Sequence, residues 1–516
     1  MLTVPIQSKL IDDFKETFQK ELRKSSQESY GEMFFVNRSR IRDIAIFLSD
    51  NGANFINLLI IDLGTKFELI YIYYFKFLKE KKYWFILTEV DKQAEIDSIE
   101  VVFAQAKYLE DELIKRYGLK FSPYTKEMEQ VLFAVPTALN PPKKNLNLLP
   151  IGIYNKIHND NHYFNTIIEN EKILSVVEKT GWLYRGIIPL LQHKNIFKEN
   201  LNIIKRICYP SSYHHSLAYI MAIEQLAGIE VQERVNLIRT LLCEFERYES
   251  HLIWFANLFY SLGFSRRYYY LINRHKELQK LYKKYFNNRF LDDLNFIGYT
   301  QDIEGQNLTV IQLITENLLP LVFNSVYYFS YKRYVKEKCQ GLGILDKDFA
   351  LDAGVTGPCL RATGINYDVR KENPYLSYLN KNISPNWDVV TFNEGDVFAR
   401  IETRLWEMKN SSNLIYNLID EIIDDESKID PIDTSKIKLA ANKIGLIQLE
   451  SPQGELIYYI KTADRPGKTN LGGVFIATPS MKNFVALNNY ILKNNYENDL
   501  SLIVHSMDLN FNEIDL

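Results

Sequence analysis

The chain has 516 residues, 24% of them charged, and a formal net charge of −3, so it is long enough for two or more domains with a large core. That balance, without a basic run, excludes a nucleic-acid binder. The four cysteines, Cys208, Cys243, Cys339 and Cys359, form no Cys-x-x-Cys pair, so no local iron–sulfur or zinc site is written. Their wide spacing fits a reducing compartment.

The opening residues are mixed and soon acidic, unlike a secretory signal. Residues 1–30 read as an amphipathic helix, with Ile11, Phe14, Phe18 and Leu22 at helical spacing. Between 34 and 100 the pattern is strand-like, with β-branched and aromatic runs at 55–62, 67–77 and 84–87. Residues 107–117 read as a helix that Gly118 caps. Residues 55–78 and 308–329 are the most apolar stretches. Asp62, Lys66 and Glu68 break the first, and Glu316, Asn317 and Pro320 the second. Neither gives the uninterrupted run of about 20 residues that a membrane span needs, so membrane contact is expected through partners.

Three prolines in a polar stretch after Phe133 read as a linker, with a domain boundary near residue 140. Strands are expected at 151–154, 162–168 and 172–177, then long helices from about 216 to 334. The stretch Arg206-Ile-Cys208-Tyr209-Pro210-Ser211-Ser212 runs into a helix that is apolar nearly all round. A seryl oxygen there is expected to cap the first turn. Glu224 falls on the buried side and needs a partner. Tyr209 and Cys208 sit at the helix N-terminus, where free N–H groups and the dipole favour developing negative charge. A structural corner with a merely satisfied tyrosine is the alternative. On the next long helix Arg239, Cys243, Glu246 and Ser250 share a face, beside Arg247 and His251. Residues 341–370 form a glycine-rich shaped loop without nucleotide-binding spacing. Helix resumes at 396–423, an acidic connector spans 424–433, and strands are expected near 445–448 and 455–462.

These residues resemble a known family. From Leu148 onward the chain is similar to the large subunit shared by energy-converting membrane-bound nickel–iron hydrogenases and the quinone-site subunit of respiratory complex I. The blocks that carry this are Gly181–Gly186, Arg206–Glu224, Gly228–Thr240, Glu246–His251, Thr356–Gly364, Tyr367–Arg370, Gly395–Arg400, Gly454-Glu455 and Thr478–Ser480. Residues 1–135 resemble, more weakly, the small docking subunit beside it, through Tyr108–Glu112 and Tyr117-Gly118. The resemblance implies an α+β fold: a small N-terminal α/β domain with its linker (1–140), then a long-helix bundle flanked by small β-sheets (141–516). It implies an iron–sulfur small subunit as partner, with antiporter-like and helical anchor subunits in a membrane arm. It also implies a peripheral position on the cytoplasmic side of the inner membrane. No nicotinamide site is read here, so NADH oxidation would belong to another subunit.

The departures bear on the chemistry. The hydrogenase centre takes four thiolates from two Cys-x-x-Cys pairs, because soft sulfur holds both metals. Here the first pair keeps Cys208 but has Ser211, and the second reads Asp508-Leu-Asn-Phe511 without cysteine. One thiolate cannot make that centre, so no nickel–iron site and no metal site is expected, and Cys208 reads as a small buried residue. Arg206-Ile-Cys208-Tyr209 resembles the Arg-x-Asp-Tyr of complex I, which implies that Tyr209 donates a hydrogen bond to a quinone carbonyl. The second quinone residue of the family, a histidine, is replaced in Gly152-Ile-Tyr-Asn155-Lys by Asn155, which can donate a hydrogen bond but not exchange a proton near neutral pH. Tyr184 likewise replaces a histidine before Arg185-Gly186.

Two functions are compatible with this. In one, electrons pass from a partner's iron–sulfur cluster to a quinone-like acceptor. Tyr209, Asn155 and Arg206 are then catalytic, and Tyr209, Cys208, His215 and Asp508 line the binding site. Arg206 and the helix N-terminus would stabilise the anion. In the other, the subunit is a scaffold or energy-coupling module, and Glu246, Arg247, His251, Arg361 and Arg400 are buried braces.

Overall fold

A computed structural model describes residues 4–28, 31–62, 64–75, 83–103, 106–122, 147–151, 163–179, 183–383, 385, 387–493 and 495–516. It divides into two compact units, Met1–Lys143 with Asp352–Gly354, and Lys144–Leu351 with Val355–Leu516. The α+β class holds in both. In the first unit a five-stranded sheet runs β1 (Leu22–Glu28), β2 (Gly31–Val36), β5 (Tyr83–Asp91), β4 (Lys66–Tyr74), β3 (Asn54–Asp62). All pairs are antiparallel except β2 with β5. Helix α1 (Val4–Thr17) buries Leu10 and Phe14 against Phe34 and Trp84.

Two expectations need correction here. The first helix ends at Thr17, and Leu22 opens a strand, because the polar run to Glu28 pairs with β2 instead of offering an apolar helix face. A second helix, α2 (Ile41–Asp50), lies inside the stretch read as strand. Its buried Ile41, Ile44, Ala45 and Leu48 follow the 3.6-residue period within one short segment. Helix α3 (Ala106–Tyr117), which joins the short parallel strands β6 (Glu95–Asp97) and β7 (Lys120–Ser122), closes as expected on Gly118 at φ +69°. Its Glu110 is buried, accepting from the Ser98 hydroxyl (2.5 Å) and the Ile99 N–H (2.9 Å).

The second unit begins with an antiparallel sheet, β8 (Asn147–Ile151), β9 (Tyr163–Glu169) and β10 (Lys172–Lys179). Its core is a set of helices: α4 (Ser212–Ala227), α5 (Glu233–Ser261), α6 (Ser265–Tyr285), α7 (Gly305–Ser330) and α8 (Val397–Asp424). Another antiparallel sheet, β11 (Ile444–Ser451), β12 (Gly454–Thr462) and β13 (Leu471–Ala477), packs against α4. Helix α4 has the all-round burial its sequence implies, from Tyr213 to Ile220 without a wet position. Helix α7 carries Pro320 in its interior and is, by length and composition, long and apolar enough to cross a membrane; a third of its most apolar window is buried. It packs on α8, where Tyr416 donates to the Thr315 carbonyl (3.2 Å).

The charged residues of α5 are spent on internal bracing. Arg239 forks onto Glu224 at 2.9 and 2.6 Å, which supplies the partner that glutamate required. Arg361 spans Glu407 (2.8 Å) and Glu450 (2.8 Å), and Glu407 also meets His251 (3.0 Å). Arg247 donates to the Ser451 and Glu450 carbonyls, tying α5 to β11. Arg400 donates to the Gly395 and Gly343 carbonyls and the Ser506 hydroxyl, and burial lowers its pKa to about 10. The shaped loop is needed at Gly357: at φ +68°, a Cβ there would lie 2.2 Å from the Gln453 carbonyl oxygen.

Candidate functional site

The start of α4 is where the expected site residues meet, and its first surprise is the cap. Ser211 makes no side-chain capping bond. Glu246, reaching across from α5, accepts instead from the Tyr213 N–H (2.7 Å) and the His214 N–H (2.9 Å). The N-terminal N–H groups expected to stabilise a ligand anion are therefore already engaged by a buried carboxyl group. Burial pushes the Glu246 pKa well up against the pull of those N–H groups, while burial and the Arg247 charge drive His214 well down. His214 Nδ1 and Glu246 Oε2 stand 2.6 Å apart, so the imidazole and the carboxyl group satisfy each other inside the protein.

Tyr209 lies outside this cap, 55% exposed. Its hydroxyl is 3.3 Å from His275 Nε2 on α6, and His275 is in short contact with Glu249 on α5. Gln279 Nε2 also reaches His275 (3.3 Å), with its own oxygen held by Arg289 at 3.1 and 2.8 Å. Partial burial and the charges of Glu249 and Glu246 raise the Tyr209 pKa, so the group is a phenol that can donate a proton, not a phenolate. His275 and Glu249 went unnoticed in the sequence. Glu249 lies in the Glu246–His251 block, but nothing in the spacing points to a histidine 66 positions after Tyr209.

Behind Tyr209 lies a buried polar cluster. Cys208 Sγ accepts from Asn510 Nδ2 (2.9 Å) and the Ser211 hydroxyl (3.1 Å). His215 contacts Tyr458 through Nδ1 (2.8 Å) and Glu513 through Nε2 (3.2 Å), and Ser211 also reaches Glu513 (3.4 Å). The C-terminal segment thus returns to Cys208 with an amide and a carboxylate where thiolates would be needed for a bimetallic centre. Burial opposes the Glu513 charge, but His215, Ser480 and Cys208 outweigh it and hold its pKa low. Cys208, His215 and Glu513 offer ligand atoms within 4.8 Å of one another, a mixed donor set suited at most to a single borderline cation.

The other expected residues are placed apart. Arg206 turns its guanidinium onto the Asn202 carbonyl (2.5 Å), and its own carbonyl accepts from Arg185 (2.7 Å). Asp508 stands at φ +53°, 3.9 Å from Arg404, and ends the helix Leu500–Met507. Asn155 lies outside the described residues, as do Gly181 and Trp182.

The chain is similar to several known proteins. Residues 261–516 match the family model described as "Respiratory-chain NADH dehydrogenase, 49 Kd subunit". The chain is 28% identical over 366 residues to the carbon monoxide-induced hydrogenase of Rhodospirillum rubrum, covering 70% of this chain and 96% of that one. It is 26% identical over 371 residues to NADH-quinone oxidoreductase subunit 4 of Thermus thermophilus, covering 67% and 88%. A chain in the structure of the membrane-bound sulfane sulfur reductase, an archaeal respiratory membrane complex, superposes with a TM-score of 0.66 at 26% identity, covering 73% of this chain and all of that one. By fold and by these relatives, the chain is homologous to oxidoreductase subunits of hydrogenase-related, respiratory membrane complexes. More narrowly, residues 261–516 are similar to the complex I 49 kDa subunit family, and the longer matches are to that family and to its hydrogenase relatives alike.

Proposed function

We propose that this subunit passes electrons from an iron–sulfur cluster in a partner small subunit to a quinone-like acceptor at Tyr209, and is not an active nickel–iron hydrogenase. The observation that carries the reading is a half-exposed phenol, kept protonated and backed by His275 and Glu249. A two-electron acceptor taking two protons needs a donor in contact with its oxygen. Tyr209 is that donor, and the His275–Glu249 pair takes the place of the missing family histidine as its source of a replacement proton. The partner cluster supplies electrons; this chain orients the acceptor and moves the proton. In this reading the subunit sits on the cytoplasmic side of the membrane, joined to antiporter-like and helical anchor subunits, with residues 1–140 as a fused docking subunit.

Replacing Tyr209 by Phe is the test. Donor-coupled reduction of a soluble quinone is expected to stop while the complex still assembles, and unchanged turnover would discard the reading. A second reading, a scaffold without catalysis, draws on the engaged helix N-terminus and the filled space around Cys208. It predicts that the same variant leaves every electron-transfer activity of the complex unaltered.

A further inference from the structure

One end of the bundle carries a surface that electron transfer does not use. There α5 turns into α6, and α7 gives way to a short helix, Arg333–Cys339. Phe329 packs on Phe259 and Phe264 with ring centroids 5.9 and 5.7 Å away, and Phe264 also meets Tyr334 at 5.8 Å. The two turns are therefore one apolar seam. Around it Tyr260, Tyr269, Tyr328 and Tyr334 are 54%, 63%, 63% and 47% exposed.

Cations ring the same seam and are pinned to its rings. The Arg267 guanidinium sits 4.0 Å over Phe329 and donates to the Ser325 hydroxyl (3.2 Å). The Lys332 ammonium lies 4.6 Å over Phe329 and 5.0 Å over Tyr328. Arg266 is exposed, and so is Arg333, which pairs with Glu337 at 2.7 Å. Helix α6 as a whole has seven Lys and Arg against one Glu, in a chain whose net charge is −3. Beyond the seam, Leu313 and Leu321 are 58% and 47% exposed on α7, seven to eight residues apart along the face that ends at Tyr328.

We propose that this aromatic and basic cap seats the subunit directly on the anionic phospholipid headgroups of a bilayer. Two features select that occupant. The cations surround an apolar centre instead of converging on a point, which suits a diffuse layer of negative charge more than one acidic side chain. Tyrosine, with an apolar ring and a polar tip, settles at the depth where headgroups meet acyl chains, and stacked Lys and Arg keep their charge at the surface beside it. The contact is independent of Tyr209, so it stands or falls apart from the redox reading.

The test uses the full chain and vesicles. The protein is expected to sediment with phosphatidylglycerol-containing vesicles, to be released by salt, and to ignore pure phosphatidylcholine. Each cation at such a surface is worth roughly fivefold in partitioning. Arg266→Glu with Arg333→Glu is therefore expected to weaken binding by at least roughly twenty-five-fold, with the near-ultraviolet circular dichroism unchanged. Tyr269→Ala with Tyr328→Ala removes the part of the binding that resists salt. Absence of vesicle binding, equal binding to neutral vesicles, or indifference to the charge reversal overturns the proposal. So does a photocrosslinker at position 269 that labels a protein subunit instead of lipid in the membrane-assembled complex.

Discussion

Tyr209 and Cys208 are adjacent in the chain and lie in opposite environments. Cys208 is closed in by Asn510, Ser211 and the His215–Glu513 pair, all deeply buried. Its neighbour reaches a rim where one side of the phenol is held beside His275 and Gln279. At the inner position the polar groups satisfy one another. The outer one keeps a proton donor within reach of solvent. Burial makes the difference: a buried polar group must be satisfied inside the protein, whereas a group at a rim can leave a bond for an incoming ligand.

That contrast can be broken from either side. The largest effect is expected at the rim, where Tyr209→Phe removes the donor and lowers acceptor-dependent turnover by at least about 100-fold. Losing one 3.3 Å contact costs stability no more than about 1 kcal/mol, as urea unfolding would register. Inside, Arg361→Met strands Glu407, Glu450 and Asp368 without their shared cation, and unfolding is expected to become easier by about 3–5 kcal/mol. A variant of unaltered stability would mean that the network is looser than its distances indicate. Glu246→Ala frees two N–H groups at the start of α4 and is expected to cost about 2 kcal/mol, the upper end for a lost cap. Cys208→Ser should be the mildest of the set, within about 1.5 kcal/mol and with turnover retained. Loss of all activity in Cys208→Ser would move the chemistry inward and end the distinction.

The N-terminal unit supplies a separate control. Burial raises Glu110 to about 7, with the Ser98 and Ile99 hydrogen bonds working the other way. Its folded pKa exceeds the ordinary value of 4.5, so the folded state holds the extra proton between the two, and stability falls as pH rises through that window. The loss is on the order of 3 kcal/mol once the group is fully ionised. In Glu110→Gln the fall between pH 4.5 and 7 should flatten, measured by thermal unfolding at several pH values.

Several elements were legible because the signal was local. The buried helix after Ser211, the brace residues of α5 and the shaped loop around Gly357 all follow from periodicity, a buried charge or a backbone that only glycine tolerates. The end of the first helix is not legible, because Phe18 and Leu22 keep helical spacing after the chain has turned. The cap at Ser211 was assigned to the wrong side chain, since a serine before an apolar run carries the usual cue while Glu246 is 33 and 32 positions from the N–H groups it serves.

By itself, the sequence determined that Ser211, Asp508 and Phe511 stand where a pattern of two Cys-x-x-Cys pairs would need thiolates, because ligand identity is written residue by residue. It also determined which helices must be buried, since a side without polar residues has nowhere else to go. Only the tertiary structure decided that His275 and Glu249 stand behind Tyr209, that Asn510 and Glu513 close on Cys208, and that a distant glutamate occupies the helix mouth. Those contacts join residues from about 30 to 300 positions apart, and what brings them together is the packing of whole helices and sheets, which no short stretch of chain encodes.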